Sequence, residues 1–383
     1  MKSMTTLFAI AIAALAVASP AVGANYTVDP GGSGDFTTIQ AAINAAGAGD
    51  TINVNAGTYD EAISMNKPLK LIGNSAVDTI ITYTTAGSKA AVEQNFFLGD
   101  NDGEDFTGFS TLVENFTFRN GGNLTGDNDL IKFRARGIDE KITIRNNVFD
   151  GDDSSTVKAI EESQGTTNFE ISNNSFVGLR YGMYLNNAHD GDVDGNTFDG
   201  MSSGSIAFNP DPDGIHVPGG SRNINVTGNT MENGNFGILL GDGNQDLLIQ
   251  GNIIRDHTGS IGAGILYWDD EGDHQVTNDG EFESDNIVIF CNDIFGNDVG
   301  IRGYVDSANP PAPQNTWDAT DNWWGHASGP SGLGSGSGDS VVLQNVDFSN
   351  WASGPKVIPE PSSLLLLAIG GVGILPLRRL RRR

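Results

Sequence analysis

Short apolar strands that each end in an asparagine recur along most of the chain. Residues 222–231 (RNINVTGNTM) and 247–254 (LLIQGNII) are clear copies, and ITIRNNV, FEISNNS, GDVDGNT, IVIFCNDI and DATDNWW are related ones. With weaker copies included, the closing asparagines are 22 to 41 residues apart. A variable spacing with a minimum near twenty predicts one structural coil per repeat, with the extra residues placed in loops.

The closing asparagines predict a buried ladder. Coils that stack at the strand spacing of roughly 4.8 Å would superimpose them, so that their amides hydrogen-bond along the stack. A buried amide without partners costs about 1–3 kcal/mol, so an inward asparagine in every coil requires such pairing. The members are Asn147, Asn174, Asn196, Asn229, Asn252, Asn292 and Asn322, with weaker members at Asn74 and Asn115.

The residue before each of these asparagines favours a sharp corner. Most of these residues tolerate the left-handed backbone conformation, which predicts a turn of the chain just before the ladder. They are Asn146, Asn173, Gly195, Gly228, Gly251, Cys291 and Asp321. Ordinary hairpin turns are the alternative, since the same dipeptides suit them. Hairpins would not keep one coil period over so much of the chain, so a stacked solenoid is predicted.

Residues 1–24 have the features of a secretory signal peptide. Lys2 precedes an apolar stretch at 7–17 that is short for a membrane span, and Val22-Gly23-Ala24 supplies small residues for cleavage. The sequence therefore predicts export. The expected organisation is a solenoid domain at 25–328, a Gly/Ser-rich linker with one last strand at 329–356, and a C-terminal segment at 357–383.

Residues 28–59 predict a cap over the first coil. Thr37 with Gln40 fits a capping box, and Ile39, Ala42 and Ile43 form one apolar helical face. Within this stretch, residues 32–59 (GSGDFTTIQAAINAAGAGDTINVNAGTY) resemble the start of pectin methylesterases of the pectin lyase-like superfamily. The resemblance implies an all-β fold, a right-handed single-stranded parallel β-helix of about nine coils with a short N-terminal capping helix.

Charge and cysteine content exclude several classes of function. Without Lys2 and the five terminal arginines, 15 basic residues remain against 48 acidic ones, a net charge of −33. Such a charge argues against nucleic acid and anionic membranes as partners. Cys291 is the only cysteine, which excludes an intramolecular disulfide and a cysteine-based metal site.

The C-terminus resembles a PEP-CTERM sorting signal. Pro359-Glu360-Pro361 precedes an apolar stretch at 364–377 and five arginines within 378–383. The resemblance implies transient inner-membrane association, processing at the Pro-Glu-Pro by an exosortase-type enzyme, and sorting to the surface or exopolysaccharide matrix of a Gram-negative bacterium. A permanent anchor is the alternative, but the stretch is short and interrupted by glycines and Pro376.

One stretch carries candidate catalytic residues. Residues 209–217 (NPDPDGIHV) resemble the Asn-Thr-Asp-Gly-Ile-His-Val strand of polygalacturonases, which implies catalysis by Asp213, with Asp211 and His216 beside it. Gly300-Ile301-Arg302 resembles the family's substrate-carboxylate clamp and adds Arg302. Three departures oppose this reading, because the family's Gly-Asp-Asp, Gly-His-Gly and clamp lysine correspond to 235–237 (NFG), 262–264 (GAG) and Tyr304.

Other residues are candidates for metal or sugar binding. Asp269, Asp270, Glu271 and Asp273 begin an acidic insertion and are candidate calcium ligands, although acidic runs are usually only solvated. A lyase would need a basic residue, for which the candidates are Arg134, Arg136, Arg222 and Arg302. Trp268, Trp323 and Trp324 are candidates for sugar stacking, with the last two expected to cover the final coil. The histidines show no metal-ligand spacing and are predicted to lie on the surface or in turns.

Two functional hypotheses follow. The leading one is a non-catalytic extracellular structural or carbohydrate-associated protein in an exopolysaccharide matrix, with an acidic or neutral polysaccharide as partner. The alternative is a uronate polysaccharide lyase or a hydrolase with a divergent site. An enzyme should have carboxylates and an arginine converging on one strand face beneath the insertions at 200–212 and 269–285, whereas a structural protein should have a chemically mixed face there.

Overall fold

The computed structural model describes residues 23–84, 94–122, 129–152, 156–162, 165–208, 220–241, 243–268, 284–303, 313 and 315–356. These residues form one helix, α1 (Ile39–Ala45), and 32 strands. Within them no helix has the length and apolarity needed to cross a membrane, and the apolar stretch at 364–377 lies outside them.

The strands are numbered in chain order. The first six are β1 (Asn25–Val28), β2 (Thr51–Val54), β3 (Gly57–Asp60), β4 (Ile63–Met65), β5 (Lys70–Gly73) and β6 (Thr79–Thr82). The next twelve are β7 (Gln94–Phe106), β8 (Thr111–Glu114), β9 (Thr117–Arg119), β10 (Asp129–Gly137), β11 (Ile142–Arg145), β12 (Val148–Asp150), β13 (Lys158–Glu162), β14 (Thr167–Ser172), β15 (Ser175–Val177), β16 (Tyr181–Leu185), β17 (His189–Asp194) and β18 (Thr197–Asp199). The last fourteen are β19 (Gly204–Phe208), β20 (Arg222–Thr227), β21 (Thr230–Glu232), β22 (Phe236–Leu240), β23 (Gln245–Gln250), β24 (Ile253–Arg255), β25 (Ala263–Tyr267), β26 (Asp285–Phe290), β27 (Asp293–Phe295), β28 (Val299–Gly303), β29 (Trp317–Asp318), β30 (Pro330–Gly332), β31 (Gly338–Val341) and β32 (Val346–Asp347).

Each coil contributes one strand to each of three parallel stacks. We call them the first sheet (β4, β7 and every third strand to β28), the second sheet (β5, β8 and every third strand to β29, preceded by β1 and β2) and the third sheet (β3, β6 and every third strand to β27). The third sheet has nine strands, and the other two, together with β30, β31 and β32, are joined by hydrogen bonds into one 23-stranded sheet. The chain is therefore a parallel β-helix, as the repeat predicts.

The interior of the coils is a stack of apolar side chains. Strand residues alternate between core and solvent, so each inward position superimposes on its equivalent one coil away. In the third sheet Phe118, Phe149, Phe176 and Phe198 occupy one such row. The last three rings are parallel within 5° and their centroids are 4.7 and 4.5 Å apart. Repetition of one apolar side chain per coil thus fixes the register.

The asparagine ladder is present between the second and third sheets. Along the row, each Nδ2 donates to the Oδ1 of the next asparagine at 3.0–3.1 Å. The row consists of Asn147, Asn174, Asn196, Asn229, Asn252, Asn292 and Asn322, all buried. The weaker members do not belong to it: the side chain of Asn74 donates to Asp78, and Asn115 is one residue early, because the amide of Phe116 is what meets Asn147.

The corner residues have the left-handed conformation predicted for them. Gly195, Gly228 and Gly251 have φ of 64 to 68°, and Cys291 has φ of 58°. A second left-handed row, which the sequence analysis missed, stands at the start of the second-sheet strands. It comprises Asn168, Asp190, Asn223, Asp246 and Asn286, with φ of 53 or 54°. Asparagine and aspartate are the residues other than glycine that tolerate this conformation best.

The N-terminal helix is present, but its predicted capping box is wrong. The N-cap is Thr38, whose hydroxyl accepts from the amide of Ala41. The carboxylate of Glu61 accepts from the amides of Ile39 and Gln40 at 2.8 and 3.0 Å. A carboxylate at this position satisfies free amides and complements the helix dipole.

Strand β7 is 13 residues long and pairs with β10 through a register shift, because residues 100–103 are extra relative to β10. One other expectation needs correction. The segment 329–356, expected to be a linker with one strand, contains the three short strands β30, β31 and β32. These strands pair with the end of the stack through β28 and β29, so the segment closes the last coil.

Candidate functional site

The outward-facing side chains of the first sheet are unusual for a solvent-facing surface. Register pairs place seven of them in one row, one from each coil: Lys132, Glu161, Tyr184, Ala207, Leu239, Leu266 and Arg302. Four of the seven strands involved, β13, β19, β22 and β25, are buried at every residue. The row is charged at one end, apolar in the middle and ends on an arginine.

The charged end is a compact cluster of two acids and two lysines, which we call the charged cluster. The Nζ of Lys132 is 2.5 Å from Glu161 Oε1 and 3.4 Å from Asp129 Oδ2. Lys158 donates to Glu161 Oε2, and its Nζ lies 3.9 Å from Asp129 Oδ1 and 4.5 Å from the centroid of the Tyr184 ring. Asp129 is only 1% exposed, and its Oδ1 has no hydrogen-bond partner.

The two acids of the charged cluster are driven to different protonation states. Burial, and then the negative charge of Glu161, raise the pKa of Asp129 well above its usual value. Burial also acts to raise the pKa of Glu161, but the hydrogen bond from Asp129 and the charges of Lys158 and Lys132 outweigh it and lower that pKa to about 2. Asp129 is thus favoured as a proton carrier beside an ionised Glu161.

The middle of the row belongs to a second apolar cluster that lies outside the coil core. Its buried members are Ala207, Phe236, Leu239, Ala263 and Leu266, and Tyr181, Tyr184, Ile261 and Trp268 pack against it while partly exposed. We call this set the outer apolar cluster. The rings of Tyr181 and Tyr184 meet edge to face with centroids 5.2 Å apart, so they link the outer apolar cluster to the charged cluster.

Two of the described candidate residues, Trp268 and Arg302, belong to neighbouring coils at the outer apolar cluster. Arg302 lies at the far end of the row, and its Nη1 donates to the carbonyl of Ile261 at 2.8 Å. Trp268 borders the outer apolar cluster. Trp324 is completely buried and has no surface for a sugar, whereas Trp323 is partly buried and continues the third sheet through a bridge to Asp293.

Several candidates lie outside the described residues: Asp211, Asp213, His216, Asp269, Asp270, Glu271, Asp273, Pro359, Glu360 and Pro361. In the part of the chain that the structure describes, no group of three or more His, Cys, Asp or Glu side chains could hold a metal ion. Calcium binding therefore remains a prediction for 269–273. One histidine expectation is wrong, because His257 is completely buried.

The described first-sheet strands next to the predicted insertions at 200–212 and 269–285 lack acidic side chains. The described strands there, β19, β22 and β25, read GSIAF, FGILL and AGILY and contain no carboxylate. Acid–base chemistry on this part of the sheet would need at least one titratable group in reach of the substrate. Neighbouring carboxylates are found instead in the charged cluster, on β13 and β10, which lie two and three coils before β19.

The sequence analysis missed all four members of the charged cluster: Asp129, Lys132, Lys158 and Glu161. A signal was nevertheless present. The strand sequences DLIKFRARG and KAIEE place charges where the equivalent strands FGILL and AGILY have apolar residues. Charged residues at strand positions that are otherwise apolar are rarely buried unless they are paired, so such positions mark a candidate site.

Comparison with known proteins supports the fold. A family model described as the right handed beta helix region matches residues 102–280. Together with the strand pairing, this match identifies the fold as a right-handed parallel β-helix. A comparison with curated proteins finds no matching sequence.

Solved structures of several β-helix enzymes are similar over most of the chain. A pectin methylesterase from carrot is 14% identical, with 90% of this chain and 92% of that one covered and a TM-score of 0.39. An alginate lyase from Paenibacillus sp. str. FPU-7 is 12% identical, with 82% and 95% covered and a TM-score of 0.42. The A-module of a mannuronan C-5 epimerase from Azotobacter vinelandii is 16% identical, with 82% and 95% covered and a TM-score of 0.41.

Proposed function

We propose that this protein is exported and binds a polysaccharide, without cleaving it, along the outer surface of the first sheet. The observation that carries the proposal is the row of charged, aromatic and apolar side chains on seven successive coils. A rigid sheet with partly exposed aromatic rings and a few polar groups is a typical setting for recognition of a sugar ring.

The geometry of the row suits an elongated ligand. Tyr184 and Trp268 lie on coils that are three steps apart, which corresponds to about 14 Å at the usual strand spacing. Lys132 and Glu161 continue the surface beyond Tyr184 in the opposite direction. Ala207, Leu239 and Leu266 of the row are buried, so a polymer that runs along the helix axis would contact the partly exposed Tyr184 and Trp268 rather than one side chain of the row on every coil.

Binding without cleavage is favoured by the composition of the surface. The described strands β19, β22 and β25 carry no acid, and the positions where polygalacturonases have their next two acids and their histidine are occupied by Phe236, Gly237 and Ala263. General acid–base groups typically contribute 10²–10⁴-fold each, so their loss would remove most of such an activity.

A polysaccharide-active enzyme is the second candidate, and the charged cluster favours it. Asp129 and Glu161 are neighbouring acids whose environments drive their pKa values apart. One protonated and one ionised carboxyl group can donate and accept a proton. Their mutual hydrogen bond places them closer together than the separation of about 5–9.5 Å between the two acids of glycoside hydrolases, so a proton-transfer role fits this pair better than glycoside hydrolysis. Lys132 and Lys158 would add the basic groups that a lyase needs.

The proposed location rests on the two ends of the sequence. The signal peptide at 1–24 and the PEP-CTERM-like segment at 357–383 support export, processing by an exosortase-type enzyme, and retention at the surface or in the exopolysaccharide matrix of a Gram-negative bacterium. The net charge of −33 between them favours solubility in that setting and makes calcium at 269–273 a reasonable accessory ion.

A binding panel combined with an activity assay tests the proposal. Affinity electrophoresis of residues 25–356 in gels containing dextran, cellulose derivatives, polygalacturonate or alginate should show retardation by at least one polymer. Tyr184→Ala should weaken it, and Val177→Ala, an exposed apolar residue on the third sheet, should not. Release of reducing or unsaturated ends would instead support the enzyme, and its loss in Glu161→Gln would assign it to the charged cluster.

A further inference from the structure

A polar groove lies at the corner where three successive coils pass from the third sheet into the first. Its volume is about 450 Å³, and its polar wall is formed by Ser202, Asn233, Asn235, Asp256, Thr258 and Ser260. Gly200, Gly234 and Gly259 also line it, so no side chain projects into it from those positions. The groove belongs neither to the charged cluster nor to the sites predicted from the sequence.

The groove adjoins the outer apolar cluster along the chain. Asn235 is followed directly by Phe236, and Ser260 by Ile261, and both of these apolar residues belong to that cluster. Phe236 is buried and Ile261 is partly exposed, so a ligand in the groove would have hydrogen-bonding groups around it and an apolar contact at the edge nearest Ile261. This division matches a sugar ring, which has hydroxyl groups at its edge and C–H bonds on its faces.

The polar groups of the groove are held in place by the fold. Asn235 Oδ1 accepts from the amides of Ile261 at 3.1 Å and Gly262 at 3.4 Å, which orients its amide group. Asn233 Nδ2 donates to Asp199 at 2.8 Å. Thr258 and Ser260 are exposed beside them. Side chains fixed in this way lose little further conformational entropy when a ligand binds.

A buried, neutral histidine lies behind the wall of the groove. His257 is completely buried, and neither ring nitrogen meets the geometry of a hydrogen bond. A Cβ added to Gly234, which lines the groove, would come within 3.2 Å of its Nδ1, so glycine at this position leaves room for the ring. Burial lowers the pKa of His257 to about 4, so the ring adds no positive charge near the groove at neutral pH.

The charges around the groove are negative. Asp199 accepts a hydrogen bond from Asn233 Nδ2, Asp298 Oδ2 accepts one from the amide of Gly259 at 3.2 Å, and Asp256 lines the groove. Arg255 is the nearby cation, and it already pairs with Glu232 and is 3.5 Å from Asp256. An anionic sugar would be repelled here, whereas hydroxyl groups can donate to the aspartates and accept from the amides.

From this geometry we infer that the groove is a binding subsite for an uncharged, hydroxyl-rich sugar residue. The inference deepens the proposed function, and its role in holding a polymer rests on that function. It also predicts selectivity, since the groove should discriminate against the uronate form of the same sugar. The subsite itself can be tested with small glycosides, independently of any polymer.

The experiment is an NMR titration of protein labelled with ¹⁵N-glycine. The probes are the methyl glycosides of glucose, galactose and mannose, together with methyl glucuronide, and the reporters are the amides of Gly234 and Gly259. At least one neutral glycoside should give saturable shifts at both amides, and methyl glucuronide should bind more weakly than methyl glucoside. The double variant Thr258→Val/Ser260→Ala should weaken binding by about tenfold, because two hydrogen bonds are lost.

Controls separate this inference from the proposed function. Thr143→Val changes an outward hydroxyl on β11, far from the groove, and should leave the titration unchanged. Silent groove amides, unchanged affinity in the double variant, or a preference for the glucuronide would overturn the inference even if a polysaccharide retards the protein. Saturable binding of a neutral glycoside in a protein that no polysaccharide retards would leave the subsite standing and refute the proposed function.

Discussion

Replacing Asn196, in the middle of the asparagine ladder, should destabilise the fold by an amount that follows from the hydrogen bonds it makes. Its Nδ2 donates to Asn229 Oδ1 at 3.0 Å and to the carbonyl of Ile171 at 2.8 Å. Its Oδ1 accepts from the backbone amide of Asn174 at 2.9 Å and from Asn174 Nδ2 at 3.0 Å. Asn196→Ala removes all four hydrogen bonds at once, inside a completely buried row.

The magnitude follows from what the partners can do afterwards. Four hydrogen bonds at about 0.5–1.5 kcal/mol each would amount to about 2–6 kcal/mol. Asn174 Nδ2 still donates to the carbonyl of Ile144, and Asn229 Oδ1 still accepts from the amide of residue 196, so two partners keep one bond each. The backbone N–H of Asn174, which donates to Asn196 Oδ1, is left without that hydrogen bond and with no replacement. We therefore expect a loss of about 2–4 kcal/mol in the free energy of unfolding.

Urea unfolding followed by circular dichroism measures this loss, provided that two probes give the same transition. Asn225→Ala is the matched control, because Asn225 makes one exposed hydrogen bond to Asp192 and should change stability by less than about 0.5 kcal/mol. Asn196→Asp should cost at least as much as the alanine variant, since it sets a carboxylate against Asn229 Oδ1. An Asn196→Ala variant as stable as the control would refute the ladder as a source of stability.

Three further predictions concern other parts of the chain. Cys291→Gly should be as stable as the wild type or more stable in the same urea assay, because Cys291 has φ of 58°, which glycine adopts without strain. Burial lowers the pKa of His257 from 6.5 to about 4, so the unfolded chain binds a proton at a higher pH than the folded chain does. The free energy of unfolding should therefore fall by about 3 kcal/mol as the pH is lowered from about 6.5 to 4, and His257→Gln should remove this decrease. Deleting residues 357–383 should release folded protein into the medium, whereas changing Pro359-Glu360-Pro361 to alanines should retain the full-length chain in the membrane. Mass spectrometry of the mature C-terminus shows whether the tail is removed. An exported chain that still ends at Arg383 would contradict the sorting signal.

The fold could be predicted from the sequence because each coil repeats one local requirement. A residue that tolerates left-handed backbone, followed by an inward amide, is visible in every copy, and stacking then fixes the rest. The prediction fails where a copy lacks the amide. Asn115 has the corner conformation, with φ of 66°, but the ladder position after it is Phe116, so counting asparagines alone shifts the register by one residue.

The candidate site could not be predicted in the same way, because it depends on which residues meet across coils. Lys132 and Glu161 are 29 residues apart, and their pairing follows from the register of β10 and β13. An insertion of any length between them would leave that register unchanged but would alter every sequence spacing. The burial of His257 could not be predicted for a related reason. Its ring fits inside because Gly234 and Gly237 of the preceding coil leave room for it, and that contact between coils is not visible in the sequence.

The asparagine ladder and the charged cluster are buried polar systems that argue for different roles. In the ladder, successive amides pair with one another along seven coils, as expected of a device that specifies register and stability. The charged cluster spans only two coils, contains a carboxyl oxygen of Asp129 without a hydrogen bond, and lies against the ring of Tyr184. Burying ionisable groups is a poor way to stabilise a sheet, since apolar residues serve β22 and β25 equally well. A contribution to binding or proton transfer, as in the two proposed functions, would account for the cost of keeping such a cluster in two coils.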